Sequence, residues 1–206
     1  MRQLIGKFSL LLASSAALFC GIAACGSQTE TITWKEEVAL HDGRTIIVTR
    51  SVTLGGGRKE PGAHTVGESN YTLDFTAPDG RSIHWENPGR LRLMALGFVG
   101  SIPYLLTTPA MVLDYARYNC PNPAYVFYKY MNGWQRIEFG DFPSAIRVRN
   151  LSPSSNAADV FIRGGHVSSQ EIKELSDEYS GLGKGDRKLD PKEQSPEGCA
   201  NTKFLD

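Results

Sequence analysis

Apolar and polar residues alternate with a period of two along much of the chain after residue 30. Ile32, Trp34, Val38 and Leu40 share one parity, and Ile46, Val48, Val52 and Leu54 share another, the spacing that places side chains on one face of a strand. Asp42-Gly43 marks a turn between the two runs. A two-residue loop would oppose Leu40 to Thr45 and send the two apolar sets to opposite faces. A three-residue loop, His41-Asp42-Gly43, with Gly43 in the left-handed region keeps them together. This register pairs Ile32 with Val52 and Trp34 with Arg50, and it makes Glu36 a diagonal neighbour of Arg50 on the apolar face.

The pattern then recurs. Tyr71, Leu73 and Phe75 alternate with polar residues, Pro78-Asp79-Gly80 forms a turn, and Ile83 and Trp85 return in phase. Residues 91–108 are apolar on both parities and broken at Gly100-Ser101, as expected of two central strands covered on both sides. Pro103 indicates that one of them starts late or lies at an edge. A helical or irregular stretch over 109–118 precedes a further hairpin, 124–139, in which a two-residue Asn132-Gly133 turn pairs Val126 with Phe139 and Tyr128 with Ile137. Ser168 and Glu171 form a capping box for a short helix, with Ile172 and Leu175 on its apolar face, to about Tyr179. The fold class that follows is mainly β: about eight antiparallel strands in consecutive hairpins, closed as a barrel or packed as a sandwich, with a short C-terminal helix. The repeated Asp-Gly-Arg hairpins also suggest two propeller-like units.

The segment before the strands changes the picture of where the domain resides. Arg2 and Lys7 precede an apolar run over 10–22, which ends at Ile22-Ala23-Ala24-Cys25-Gly26. This is a charged start, an apolar stretch of signal-peptide length and small residues at a cleavage site; it is shorter than the roughly 20 residues of a spanning helix. The last five residues resemble the lipobox of bacterial lipoproteins. That resemblance implies cleavage behind Ala24, acylation of Cys25, and an outer-membrane location facing the periplasm, with the bilayer as first partner. The expected organisation is a signal peptide over 1–24, a lipidated Cys25 and tether over 25–30, a β domain over 31–167, and a short helix with a polar tail over 168–206.

Removing 24 of the 206 residues leaves enough chain for one domain with a proper core. The whole chain carries 22 basic and 22 acidic side chains, and the leader holds two of the basic ones and no acid. The mature part is thus slightly acidic, without the basic footprint of a nucleic-acid binder. Cys120 and Cys199 remain after the leader and the acylated cysteine are set aside, and in an oxidising compartment they are expected to form a disulfide.

Signatures of catalysis are sparse. There is no GxSxG, HExxH, Walker loop, GxGxxG or EF-hand ladder, and nothing calls for a metal or cofactor. Gly55-Gly56-Gly57-Arg58-Lys59 lacks the Lys-Ser/Thr and helix of a phosphate cradle and reads as a hairpin connection. The register sets Asp74 opposite His84, either as an exposed cross-strand pair or as a base with its orienting partner. Trp34, Glu36 and Arg50 share an apolar face. Opposite charges facing a core must meet, so this cluster is a structural salt bridge beside a Trp ring, or a pocket in which Arg50 takes an acidic or sugar group over Trp34. Tyr125, Tyr128, Tyr130 and Trp134 form an aromatic band that serves as sheet packing or as a binding platform.

Trp34-Lys35-Glu36-Glu37-Val38, His41-Asp42-Gly43-Arg44, Arg50-Ser51, Pro103-Tyr104-Leu105, and Pro121-Asn122-Pro123-Ala124-Tyr125-Val126-Phe127 through Trp134-Gln135-Arg136-Ile137 resemble blocks found in this order in a group of uncharacterised proteobacterial proteins. The resemblance implies one continuous domain over about 31–143. Two functional classes follow. One is a non-catalytic envelope lipoprotein that binds a protein, glycan or small ligand through Trp34, Glu36 and Arg50 or through Tyr128 and Trp134. The other is a hydrolase of envelope polymers using Asp74 and His84, or an inhibitor of an envelope-directed enzyme.

Overall fold

The computed structural model describes residues 30–54, 68–87, 90–152, 165–179 and 188–201. The expected signal segment, Cys25 and the Gly-rich stretch 55–67 lie outside the described residues, as does the side chain of Leu175. The strands are β1 (Glu30–Ala39), β2 (Thr45–Leu54), β3 (Glu68–Thr76), β4 (Ser82–Glu86), β5 (Leu91–Val99), β6 (Ile102–Pro109), β7 (Val126–Tyr130), β8 (Trp134–Ile137) and β9 (His166–Val167). Two short helices are α1 (Val112–Arg117) and α2 (Ser169–Tyr179). The strands form a five-stranded sheet in the order β4-β3-β2-β1-β9 and a four-stranded sheet in the order β5-β6-β7-β8. The fold is thus mainly β and built from consecutive antiparallel hairpins, with two open sheets in place of a closed barrel.

Alternation explains the first sheet. Trp34↔Arg50, Ile32↔Val52 and Phe75↔Ile83 pair as the apolar phase requires. Leu40 N–H donates to the Arg44 carbonyl at 2.7 Å, leaving a three-residue loop, and Gly43 at its end has φ +85°, a conformation open to glycine at little cost. The second hairpin repeats this with Ala77, Arg81 and Gly80. Its inward residues pack against inward residues of the second sheet in one core that includes Trp34, Val48, Leu73, Trp85, Leu93, Leu96, Leu105 and Val126. Phe75 meets the Phe98 ring edge-on at 5.8 Å between centroids, and Trp85 meets Tyr128 at 6.5 Å. A shared core of this kind makes the sheets layers of one sandwich.

The second sheet is covered on both faces. Its outer side carries a smaller cluster, in which Tyr104, Leu106, Tyr125 and Phe127 pack under Phe142 and Ile146 from the irregular segment 139–149. Gly97 permits this, since a β-carbon there would lie 2.5 Å from Ile146 Cδ1. Residues 93–98 and 103–107 are therefore buried on both parities, while Arg92 and Val99 on β5 are exposed; of these two strands β6 is internal and β5 is an edge strand. Asn150 covers that edge. Its side chain accepts from Leu96 N–H at 2.9 Å and donates to the Leu96 and Ala39 carbonyls at 2.8 and 2.9 Å. Pro103 sits one residue before the pairing of β6 with β7 begins at Tyr104, where its missing N–H costs no bond to β7.

The β7–β8 register differs from the expected one. Tyr130 pairs with Trp134 and Tyr128 with Arg136, so the connection is three residues, 131–133, with Met131 N–H donating to the Gly133 carbonyl at 2.9 Å. A one-residue slip moves a strand's side chains to the other face. Ile137 therefore opposes Phe127 and joins the outer cluster, while Trp134 joins Tyr130 on the inner core. The sandwich on both sides of this hairpin rewards that arrangement, whereas turn chemistry alone favours the shorter loop.

Ser168 and Glu171 form the expected capping box: Ser168 N–H donates to Glu171 Oε2 at 2.7 Å and Glu171 N–H to Ser168 Oγ at 3.3 Å. Just before it, β9 adds to β1 in parallel, an element with too few residues to show in a periodicity. Cys120 and Cys199 are bonded, with Cα atoms 5.9 Å apart.

Candidate functional site

Trp34, Glu36 and Arg50 come together as their register requires. Arg50 Nη1 donates to Glu36 Oε1 at 2.8 Å, and Trp34 Nε1 donates to the same oxygen at 2.6 Å. The guanidinium lies 5.0 Å from the Trp34 ring centroid. Ser152 completes the network. Its N–H donates to Glu36 Oε2 at 3.2 Å, its hydroxyl donates to Glu36, and its carbonyl accepts from Arg50 at 2.9 Å. The four side chains are at most 2 % exposed. With all four side chains closed off from solvent, the cluster takes the salt-bridge form of the two that the sequence allows: it is a buried pair that fastens Ser152 to β1 and β2, and the expected ligand pocket over Trp34 is corrected to that.

The aromatic band divides by strand parity. Tyr128 is buried beneath Trp85, and half-buried Trp134 donates from Nε1 to the His84 carbonyl at 2.8 Å while touching Phe75 and Tyr130. These two expected binding residues hold β7 and β8 against β4 and present no open platform. Burial pushes the Tyr128 hydroxyl well above its ordinary range, with Tyr118 adding to the effect.

Asp74 and His84 also meet as the register requires, with Asp74 Oδ1 2.7 Å from His84 Nδ1. About half of each side chain is exposed, and the pair borders an open depression of about 420 Å³ with Ile47, Thr49, Thr76 and Ser82. Among the described residues no hydroxyl hydrogen-bonds the His84 ring. The pair lies on the exposed face of the first sheet as the cross-strand contact that the register predicts. Among the described residues, no group of three or more His, Cys, Asp or Glu gathers at metal-binding distance.

A more enclosed, apolar concavity lies on the other side of the β7–β8 hairpin. A cavity of about 350 Å³ is walled by Tyr125, Phe127, Phe139, Phe142, Ile146 and Leu189. Sheet alternation turns Tyr125 and Phe127 outward, the 3-10 turn Phe139–Asp141 lays Phe139 over Phe127 at 5.5 Å, and Phe142 closes on Phe127 at 4.9 Å. The far wall comes from the C-terminal tail, held by Leu189 N–H to the Arg147 carbonyl at 2.8 Å and Ala124 N–H to the Glu193 carbonyl at 2.8 Å. The rim is polar. Exposed Arg147 lines it, and next to it the Tyr125 hydroxyl donates to Glu193, which faces Arg149 at 3.6 Å. Burial, then the bond to Glu193, pushes the Tyr125 hydroxyl up to about 12.

Tyr125 belonged to the aromatic band legible in the sequence, but Phe127, Phe142 and Leu189 carried no separate signal, because the wall joins segments more than sixty residues apart. The buried phenols allow a direct check. Tyr118, Tyr125 and Tyr128 all have raised values, and the chain has eight tyrosines. In a titration followed at about 295 nm, these three should ionise only above the ordinary range near 10. Because the unfolded chain loses those protons first, stability should fall as pH rises from about 10 towards 12. Ionisation of all tyrosines in one step near 10, with the fold intact, would contradict the burial.

Comparison with family models, with curated proteins and with solved structures returned no match to this chain.

Proposed function

We propose that the chain is a lipid-anchored, non-catalytic binding protein of the bacterial cell envelope, and that its ligand is an amphiphile with an apolar chain or ring and an anionic head. The aromatic cavity on the outer face of the second sheet carries this reading. Its volume is within the range of small-molecule sites, and its lining is apolar with a few polar groups at one side, the arrangement that binds such ligands. The apolar part is placed against Phe127, Phe139 and Phe142, and the head at Arg147, whose guanidinium suits a carboxylate or phosphate. The lipid anchor rests on the leader and the residues around Cys25. Among the described residues no helix is long and apolar enough to cross a membrane.

The test uses the full chain, exported and processed in a bacterium, with dodecanoate and dodecyl phosphate as probes in calorimetry. Arg147→Glu should weaken both by about tenfold or more, and Phe139→Asp should do so as well. Each replaced side chain is exposed, so the urea midpoint should barely move. Probe binding absent from the wild type, or unchanged by both substitutions, overturns the pocket reading. The mass of the N-terminal peptide tests the anchor separately: an unmodified Cys25 removes it.

A further inference from the structure

A second surface feature stands apart from the cavity. Met111, Val112 and Leu113 are consecutive and exposed by 57, 43 and 53 %. They form the tip between β6 and the body of α1. Three adjacent large apolar side chains in water are costly unless something covers them, and single scattered ones are not comparable. Three exposed arginines lie on the elements that carry the tip. Arg90 accepts Ala110 N–H at its carbonyl (3.0 Å) and reaches Met111 Sδ with its guanidinium at 3.9 Å. Arg117 contacts buried Asp114 at 3.5 Å, and Arg92 follows Leu91 on β5. Burial raises the Asp114 carboxyl above its ordinary value, with Arg90 first among the arginines that oppose it. An apolar point with exposed arginines beside it is the composition that enters the headgroup layer of an anionic bilayer.

The topology says which end of the sandwich carries this point. Leu91 pairs with Pro109, so the tip extends beyond the start of β5. Asn87 binds Leu91 through its side chain and donates its N–H to the Tyr71 carbonyl at 2.8 Å. Tyr71 pairs with Val52, and Val52 with Ile32. The tip therefore shares an end with the start of β1 at Glu30, five residues after Cys25. Five extended residues reach at most about 18 Å. A lipid on Cys25 would hold this end of the sandwich at the bilayer.

We propose that Met111, Val112 and Leu113 insert into the anionic phospholipid surface to which the chain is anchored, with Arg90, Arg92 and Arg117 at the headgroups. The proposal builds on the acylation of Cys25, and it fixes an orientation that a flexible anchor alone would not. The opposite end, which bears the turns after Ala39, Thr76, Val99 and Tyr130, then points away from the membrane.

The experiment reconstitutes the full, processed chain in vesicles of phosphatidylethanolamine and phosphatidylglycerol, with or without bromine on the acyl chains. Leu113→Trp adds an emitter at the tip. Val99→Trp adds one at the far end, at a residue 48 % exposed; the wild type gives the background of the three native tryptophans. Brominated lipid should remove about half of the emission added by Leu113→Trp and little of that added by Val99→Trp, as expected of a side chain at the acyl boundary. Arg90→Glu with Arg92→Glu should reduce that quenching, about fivefold in vesicle affinity for each charge removed, and more so on anionic than on zwitterionic vesicles. Acylated protein in which Leu113→Trp is quenched no more than Val99→Trp overturns the proposal and assigns the tip to a protein partner. Quenching at the tip in protein whose Cys25 proves unmodified supports membrane insertion while removing the anchor, so the two failures are distinct.

Discussion

Glu36→Ala is expected to cost about 3–5 kcal/mol, a large part of the stability of a domain this size, because it leaves the Arg50 guanidinium charged and buried. Glu36 accepts from Arg50, Trp34 and the backbone and hydroxyl of Ser152, so the substitution strips the acceptor from four donors at once. Each buried donor left without a partner adds a desolvation cost. Urea unfolding followed by the fluorescence of buried Trp34 and Trp85 reads this directly. A double replacement, Glu36→Leu with Arg50→Met, should be far less damaging than Glu36→Ala alone, since it removes both charges and keeps apolar volume. A loss under about 1 kcal/mol in the single variant would mean that the pair is solvated and that its place in the core is misjudged. If Glu36→Ala yields no folded protein, the double replacement still carries the test.

The disulfide is the second large effect. Replacing Cys120 and Cys199 together with Ser opens a link between residues 79 apart in sequence, for which the chain-entropy account expects on the order of 4 kcal/mol. The consequence should extend to binding. Leu189 and Glu193, which wall and rim the aromatic cavity, belong to the tail that Cys199 fastens. Besides the disulfide, that tail is held by hydrogen bonds such as Ser195 Oγ to the Pro121 carbonyl at 2.7 Å and by the isolated bridge of Val148 with Lys188. Such scattered bonds contribute about 1 kcal/mol each. The double Ser variant should therefore lose dodecanoate binding at temperatures where its sheets persist by circular dichroism. Retained binding with unchanged thermal stability would show that the tail holds its place without the bridge.

The hairpins of the first sheet were legible because each depends on neighbours in sequence. Asp-Gly marked the turn, and the parity of Ile32, Trp34, Val48 and Val52 selected the three-residue loop and with it the register that puts Trp34 across from Arg50. The registers of the two hairpins brought Glu36 to Arg50 and Asp74 to His84, and the capping box of Ser168 with Glu171 followed from the same local logic. What the contacts amount to was not local. Whether Glu36 and Arg50 face a ligand or a core depends on Ser152, more than a hundred residues away, and whether Trp134 is a platform depends on the His84 carbonyl of the other sheet. The β7–β8 register went the same way. Asn132-Gly133 alone favours a two-residue turn, but two packed faces, one taking Trp134 and the other Ile137, select the longer loop. The aromatic cavity has no sequence signature, because Phe142, Leu189 and Glu193 are brought to Phe127 by irregular segments that have no periodicity to read. Short-range pattern thus determined the strands and their first pairings; the burial that separates a salt bridge from a site was decided by the packing of one sheet on the other.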